Sequence, residues 1–262
     1  MILVSDSVDN LDDDLAEIVG YLTVSRDVTG HRLTRVFRDW VEMAVCAFES
    51  NDEVYLDVLD RHMPDHCDQD DRREVAEAFS EALGELLTST LDKQRPVIGD
   101  IYEAIGANSD AFGQFFTGWP LCRTKARMTI TEDDALEATV DDPLTVADPA
   151  CGSGRLLVAA ANRLHDIDPS AEIAVSGTDK DQLCAHMAVL NLVIANVRGR
   201  VRFGDSITME YHREWRVDPR VRPPVQRVDD PDSPMDRLEE EDEIDEYQQV
   251  QLTFAERGEA DD

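Results

Sequence analysis

The sequence is poor in lysine and in long apolar runs, and its cysteines show no paired spacing. Only three of its 25 basic residues are lysines, against 57 acidic residues, so the formal charge of the 262 residues is −32. No stretch approaches 18 uncharged apolar residues, which argues against a membrane-spanning helix. The chain begins without a basic segment before an apolar run, so we expect no signal peptide. The five cysteines form no CxxC pair, which favours a reducing compartment over a disulfide scaffold.

The strong acidity has three interpretations. A disordered chain is one, but the middle of the sequence has an apolar periodicity that disordered chains lack. A nucleic-acid mimic is the second, and its acidic residues would cluster on one face. The third is adaptation to molar salt, where the Debye length falls to about 3 Å and repulsion between carboxylates is screened. Because acidic residues are spread widely along the chain and lysine is nearly absent, we favour the cytoplasm of a halophile.

Residues 1–108 predict a helical N-terminal domain. Apolar residues recur at three- and four-residue steps over 31–49 and again over 74–91, and a shorter helix is predicted from Asp100 to Ile105. His62, His66 and Cys67 could suggest a metal cluster, but Pro64 disfavours the helix that their spacing would need. We therefore expect no metal site, and this half carries no motif for chemistry.

The pattern changes over residues 109–228, where strands and helices alternate. Strands are predicted at 144–148, 173–178 and 201–203, with helices at 155–164 and 181–196 between them. This alternation is typical of βαβ units and a parallel sheet, so the fold class is α/β and Rossmann-like. From residue 229 to 262 the chain is acid-rich, and we expect a disordered or helical tail there.

A glycine-rich turn, Asp148-Pro-Ala-Cys-Gly-Ser-Gly154, lies between the first predicted strand and its helix. Gly152 and Gly154 let the backbone turn tightly and approach a ligand, and the N–H groups at the helix start favour an anion such as a carboxylate. The spacing is neither GxGxxG nor GxxxxGK[ST], so a nicotinamide or triphosphate site is not indicated.

Two further acidic residues follow the next predicted strands. Asp179 ends the second strand, where an acid can accept hydrogen bonds from both hydroxyls of a ribose, and Asp205 follows the third, where it could approach a purine edge. Together with the turn, these two acidic residues indicate a binding pocket for an adenosine that carries a zwitterionic tail. This suits S-adenosylmethionine better than ATP, because the turn carries no phosphate-binding lysine.

Two motifs resemble the adenine-N6 DNA methyltransferase family, in particular the modification subunits of type I restriction systems. They are Gly113-Gln-Phe-Phe-Thr117 and the turn in its form DPACGSG, and their order along the chain fits this class. Asp179, Asp205 and the helix with Asn191 are weaker matches, and the resemblance covers roughly residues 30 to 208. It implies double-stranded DNA as substrate and a specificity or second modification subunit as a possible partner.

The resemblance also implies roles for individual residues. The Gly113–Thr117 segment would close over the methionine part of the cofactor, and the turn and the two later acids would hold the rest. The cofactor-binding residues expected in this way are Phe115, Phe116, Thr117, Asp148, Ala150, Gly152, Gly154, Asp179 and Asp205.

The family's Asn/Asp-Pro-Pro-Tyr/Phe signature has no counterpart after Asp205. The nearest string, Arg222-Pro-Pro-Val225, lacks a side-chain acceptor for the adenine amine and an aromatic ring to stack on a flipped base. No apolar strand is evident between residues 206 and 228, so the sheet is expected to end after its third strand. The catalytic residues therefore remain unassigned, and another polypeptide could complete the fold.

Eight arginines lie between Arg198 and Arg227, which is an anomaly in a chain of charge −32. One interpretation is a DNA phosphate contact surface, with Arg213, Arg216, Arg220 and Arg222 as its candidates. The other is internal pairing with the acidic tail. Both remain open at this point.

The sequence thus leads to an adenine-N6 DNA methyltransferase that depends on S-adenosylmethionine and whose active site a partner could complete. The alternative is a catalytically inactive cofactor-binding or accessory protein that contacts DNA or a partner subunit. A methyltransferase acting on a small molecule is a third interpretation, which the Gly113–Thr117 segment disfavours.

Overall fold

The structure, a computed structural model, describes residues 11–106, 116–229 and 231. Phe115, most of the Gly113–Thr117 segment and nearly all of the acidic tail lie outside these residues. Within the described part, no helix is both long enough and apolar enough to cross a membrane.

Five helices form the N-terminal module and four more accompany the sheet. The module contains α1 (Asp13–Thr29), α2 (Leu33–Glu49), α3 (Asp52–His62), α4 (Gln69–Lys93) and α5 (Ile98–Ala104). The later helices are α6 (Trp119–Thr129), α7 (Glu132–Glu137), α8 (Arg155–Ile167) and α9 (Gln182–Ile194). The helices predicted over 31–49, 74–91, 155–164 and 181–196 are confirmed, with ends that differ by a few residues.

The local sequence explains where these helices begin and which face they bury. The predicted apolar stripe of α2 is buried, including Val36, Phe37 and Trp40. At the start of α4, the Asp68 carboxylate accepts the Asp71 N–H while the Asp71 side chain accepts the Asp68 N–H. This reciprocal cap satisfies N–H groups that have no partner inside the helix.

The sheet has five strands in the order β1-β2-β3-β4-β5. They are β1 (Leu144–Asp148), β2 (Ile173–Asp179), β3 (Gly199–Asp205), β4 (Glu210–Val217) and β5 (Val225–Val228). The first three are parallel and the last two antiparallel. The three predicted strands are confirmed.

The expectation that the sheet ends after its third strand is wrong, because β4 and β5 extend it. In β4, Trp215 and Val217 point to the core and alternate with the charged Glu214 and Arg216. Antiparallel strands with one solvated face alternate in this way and contain no apolar run. The search for an apolar run therefore missed β4.

All five strands present one face to the core, which we call the inner face. Register places Val146, Val175, Val201, Trp215 and Val225 on it, and each is at most 4 % exposed. α8 and α9 lie on this side, because right-handed crossovers in one direction put both helices on one face. The helical module packs there too, and its buried residues join those of the sheet in one hydrophobic core.

β1 is the edge strand of the described sheet. In open doubly wound sheets the first strand is internal, and a ligand binds at the point where the strand order reverses beside it. The described strands of this chain contain no such reversal.

Candidate functional site

The Asp148–Gly154 turn connects β1 to α8 through two glycines in the left-handed region. Gly152 has a φ of +53° and Gly154 a φ of +74°, as predicted for positions that need glycine. A Cβ at Gly154 would lie 3.1 Å from that of Ala188, and one at Gly152 would lie 3.0 Å from the Phe116 ring. The turn is therefore packed between α9 and the segment that begins at Phe116.

The N–H groups of the turn are already bonded within the protein. Ala150 donates to Asp148, Cys151 to the Thr178 carbonyl and Gly152 to Asp179, at 3.1, 2.9 and 2.8 Å. These three donors are therefore not open to an anion, because a turn this tight satisfies its own N–H groups. α8 begins at Arg155 with no side-chain cap, so the helix start keeps its affinity for an anion.

Asp179 is tied directly to the turn. Its Oδ2 accepts the Gly152 N–H, and its Oδ1 accepts the Asp181 N–H at 2.9 Å. Burial raises the pKa of the Asp179 carboxyl, and the two N–H groups partly offset that effect. Burial also raises the pKa of Asp148. The structure thus brings two of the predicted acids to one edge of the sheet.

Asp205 lies at the same edge, at the end of β3. Its carboxylate accepts the Ile207 N–H at 2.8 Å and forms an ion pair with Lys180 Nζ, also at 2.8 Å. The hydrogen bond from Lys180 lowers the pKa of Asp205. The Lys180 side chain is 64 % exposed. Any group that binds Asp205 must share it with this ammonium.

Phe116 covers the turn from the side of the helical module. Its ring lies where a Cβ on Gly152 would be, and the centroids of the Phe116 and Tyr102 rings are 5.2 Å apart. The Arg155 guanidinium lies 5.6 Å from the centroid of the Phe116 ring. Its N–H donates to Glu103 at 3.2 Å. Thr117 is exposed beside it.

Several residues that position the site were not singled out in the sequence for this role. Arg155, 4 % exposed at the start of α8, forms an ion pair with Asp100 of α5. Asn191 of α9 is buried and donates to the Ser153 carbonyl at 2.7 Å. The sequence offered two signals for these residues, an arginine at the start of a buried helix and an asparagine inside an apolar helix. Their roles depend on contacts with residues that are distant in the sequence.

The four arginines proposed to contact DNA do not form one surface. Arg213 pairs in register with Phe203 near the Asp205 edge, whereas Arg216 pairs with Arg200 on the opposite face. Arg220 and Arg222 lie in the turn between β4 and β5, at the other end of the sheet. Arg213 binds Asp229, and Arg220 binds Asp218 and Glu172. Asp218 and Glu172 precede the acidic tail, whereas Asp229 is its first residue.

The Pro-Pro string is far from the glycine turn. β4 ends at Val217, opposite the first residue of β3, so Pro223 and Pro224 lie at the amino end of β3. The length of β3, seven residues at about 3.3 Å each, separates that end from Asp205. The string therefore lies away from the edge that carries Asp148, Asp179 and Asp205.

His62 belongs to a buried polar cluster in the helical module. Its Nε2 lies 2.8 Å from Ser25 Oγ and its Nδ1 lies 2.7 Å from Asp39 Oδ2, so that one imidazole joins α1, α2 and α3. All three side chains are buried. Among the described residues, no group of three metal-ligating side chains could hold a metal ion.

A cleft of about 530 Å³ opens between the helical module and the sheet. Arg38, Arg61, Arg213 and Arg227 line it together with three acidic residues. Gln182, the first residue of α9, also lines it and follows Asp179 by three positions, so the cleft adjoins the edge that carries the acids.

Fold and site together define a Rossmann-like α/β protein in which β1, β2 and β3 each end in an aspartate at one edge of the sheet. The model of the N-6 DNA methylase family matches residues 93–228, slightly more than half of the chain. The chain therefore belongs to the N-6 DNA methylase family.

Two individual proteins are similar to it. The type I restriction enzyme MjaIX methylase subunit of Methanocaldococcus jannaschii is 34 % identical over 76 residues, which are 28 % of this chain and 13 % of that subunit. A solved structure of a putative class I S-adenosylmethionine-dependent methyltransferase from Listeria monocytogenes superposes with a TM-score of 0.45 at 13 % identity, over 75 % of this chain and 55 % of the other. The match to the archaeal subunit thus spans a small part of that relative.

Proposed function

We propose that the chain binds S-adenosylmethionine at the β1–α8 turn and serves in adenine-N6 methylation of DNA as part of a type I-like modification enzyme. The observation that carries the proposal is the hydrogen bond between Gly152 and Asp179, because it joins the glycine turn and the ribose acid in one pocket wall. Family membership supports the same reaction.

Each end of the cofactor has a partner in this proposal. The oxygens of Asp179 each accept one N–H and keep lone pairs for the ribose hydroxyls. Asp205 takes the adenine amine, and the uncapped start of α8 takes the carboxylate. The methionine end is enclosed by Phe116 and Thr117, together with Phe115, which the sequence predicts as a cofactor-binding residue. When bound, the cofactor supplies an electrophilic methyl group on its sulfonium.

The catalytic groups come from a second polypeptide. The sequence has one Pro-Pro pair, and that pair lies at the wrong end of the sheet. β1 is the edge of the described sheet, and exposed apolar side chains lie at Leu136 of α7, which packs beside it, and at Val140, four positions before it. A modification or specificity subunit that docks there would supply the acceptor groups for the adenine amine.

DNA contacts are proposed at the cleft beside the cofactor edge. Arg213 retains its predicted role there, joined by Arg38, for which the structure shows no ion pair with another described residue. DNA in this cleft would reach Arg216, Arg220 and Arg222 only if it extended around the sheet, because these residues lie away from the cleft. Guanidinium groups bind phosphate oxygens in a bidentate way, which suits such a cleft.

Calorimetric titration with S-adenosylhomocysteine tests the cofactor site. Asp179→Ala should weaken binding at least about tenfold, since charge-assisted hydrogen bonds contribute about 1.5–3 kcal/mol. Asp166→Ala, which removes an exposed carboxylate from α8, is the matched control and should bind like the native chain. Native chain that takes up no ligand would overturn the proposal.

Methyl transfer to duplex DNA tests the activity. The chain alone should transfer no label from radioactive S-adenosylmethionine, and addition of the partner subunit should restore transfer to adenine. A second candidate function, an inactive accessory protein, is favoured by the missing signature. It predicts cofactor binding or DNA binding with no transfer in either mixture.

We also propose that the protein works in the cytoplasm of a halophile. The charge of −32 supports this, because carboxylate repulsion is screened at molar salt. The unfolding temperature should rise steadily between 0.1 and 3 M KCl, whereas an unchanged or falling temperature would contradict the proposal.

A further inference from the structure

Arg155 is a charged side chain in a place that usually excludes one. It is the first residue of α8, and it is buried. A cation at a helix start meets the positive end of the helix dipole, and burial removes the water that would solvate it. Its Nε has no hydrogen-bond partner among the residues that the structure describes. The position costs stability, and departures from local rules are expected at functional sites.

Asp100 of α5 holds the Arg155 guanidinium in this position. Its Oδ1 accepts a hydrogen bond from Arg155 Nη2, and its Oδ2 forms an ion pair with Arg95 at 2.5 Å. A Cβ on Gly99 would lie 2.7 Å from Arg155 Nη2, so the guanidinium packs against backbone that a glycine leaves open. Two consecutive positions of α5 thus provide the guanidinium with a carboxylate and with the space in which it lies.

The Arg155 guanidinium also lies over the Phe116 ring. Its carbon is 5.6 Å from the ring centroid, which is within the range of cation–π interactions. The same ring lies 3.0 Å from where a Cβ on Gly152 would be, and the Phe116 N–H donates to Glu103 of α5 at 3.2 Å. Phe116 is therefore fixed between α5, the start of α8 and the glycine turn.

We propose that Arg155 is a positioning residue for the amino-acid end of the cofactor. Held by its ion pair with Asp100, it keeps the Phe116 ring against the glycine turn. This inference rests on the proposed cofactor site, in which Phe116 encloses the methionine end. Because the guanidinium is buried, Arg155 acts through Phe116 and does not touch the ligand. A ligand that lacks the amino-acid end therefore gains nothing from Arg155.

Calorimetry with two ligands tests the proposal. S-Adenosylhomocysteine carries the amino-acid end, whereas 5′-methylthioadenosine has only a methyl group on its sulfur. In Arg155→Met the dissociation constant of S-adenosylhomocysteine should rise at least about fivefold, since a desolvated contact between a guanidinium and a ring contributes on that scale. That of 5′-methylthioadenosine should stay unchanged, which also shows that the fold is intact.

The matched control is Arg163→Met, the same substitution farther along α8. Arg163 donates to the Ile130 carbonyl at 3.4 Å and has no part in the contacts around Phe116. This variant should bind both ligands like the native chain.

Two further variants test whether Arg155 acts through Phe116. Phe116→Leu should reproduce the loss, and its combination with Arg155→Met should lose no more than either single variant, because residues that act as one unit are not additive. Gly99→Ala keeps every charge but displaces the guanidinium, and it should show the same ligand-dependent loss. It also provides the test if Arg155→Met does not fold.

Equal losses for the two ligands in Arg155→Met would overturn the proposal, because a structural defect does not distinguish them. Additive losses in the double variant would overturn it too, since Arg155 would then act independently of Phe116. So would native affinity for S-adenosylhomocysteine in Gly99→Ala, because the position of the guanidinium would not matter. In each of these cases the native chain still binds the cofactor analogue and the proposed function stands. A native chain that binds neither ligand overturns the proposed function itself, and this inference with it.

Discussion

Trp215 Nε1 donates to Glu49 Oε1 at 2.8 Å, across 166 positions of sequence. Glu49 ends α2 in the helical module, and Trp215 lies at the centre of β4. Arg227 of β5 binds the same carboxylate at 2.9 Å. One carboxylate therefore fastens the helical module to the two strands that the sequence did not predict.

Removal of this carboxylate should destabilise the whole chain. Glu49→Ala leaves the Arg227 guanidinium buried without its partner and the Trp215 N–H unsatisfied, so the free energy of unfolding should fall by about 3–5 kcal/mol. Glu42→Ala breaks an ion pair with the half-exposed Arg61 and should cost less than about 1 kcal/mol. Urea unfolding followed by tryptophan fluorescence measures both, and equal losses would contradict the role of Glu49.

Gly154→Ala should disable the turn. At a φ of +74° an alanine is strained by about 1–2 kcal/mol, and its Cβ would press on Ala188 of α9. We expect a lower unfolding temperature and a loss of S-adenosylhomocysteine binding. Gly84→Ala in α4, where a Cβ meets nothing within 4 Å, should instead stabilise the chain by about 0.5–1 kcal/mol. Unchanged cofactor affinity in Gly154→Ala would argue that the turn does not touch the ligand.

Lys180→Ala should strengthen cofactor binding. The ammonium of Lys180 occupies the Asp205 carboxylate that we assign to the adenine amine, so its removal frees that acceptor. Calorimetry with S-adenosylhomocysteine should show a severalfold lower dissociation constant. Lys93→Ala, which removes a lysine bound to Asp12 and Asp14 in the helical module, is the control. Weaker binding in Lys180→Ala would mean that the lysine itself contacts the ligand.

His186 should make the chain sensitive to acid. Burial lowers the pKa of this histidine to about 3, from 6.5 in the unfolded chain, and its ring packs against Trp215 at 4.8 Å. Below pH 6.5 the unfolded chain binds the proton first, so this histidine's contribution to stability is present at neutral pH and is lost as the pH falls towards 3. Between pH 7 and pH 4 the loss should reach about 3 kcal/mol.

The His186→Leu variant isolates that effect. It keeps an apolar group of similar size against Trp215 but has nothing to protonate. Its free energy of unfolding, measured by urea titration at several pH values, should fall less steeply between pH 6.5 and 4 than that of the native chain. Parallel curves for the two proteins would show that His186 does not contribute.

The sequence alone determined the parts of this protein that depend on local signals. The apolar stripe of α2, the first three strands and the glycine turn follow from periodicity and from backbone conformations that only glycine adopts readily. Asp148, Asp179 and Asp205 could be placed at one edge because parallel strands end on the same side. These inferences use interactions within a few residues or the geometry common to all parallel sheets.

The tertiary structure decided what depends on distant partners. β4 alternates apolar and charged residues in its second half and β5 is only four residues long, so their identity as strands became visible only against α9 and β3. The pairing of Glu49 with Trp215, of Arg155 with Asp100 and of Lys180 with Asp205 joins residues far apart in sequence or on separate strands. Charge and hydrogen-bond partners act through space, and a sequence does not state which side chains the fold will bring within reach.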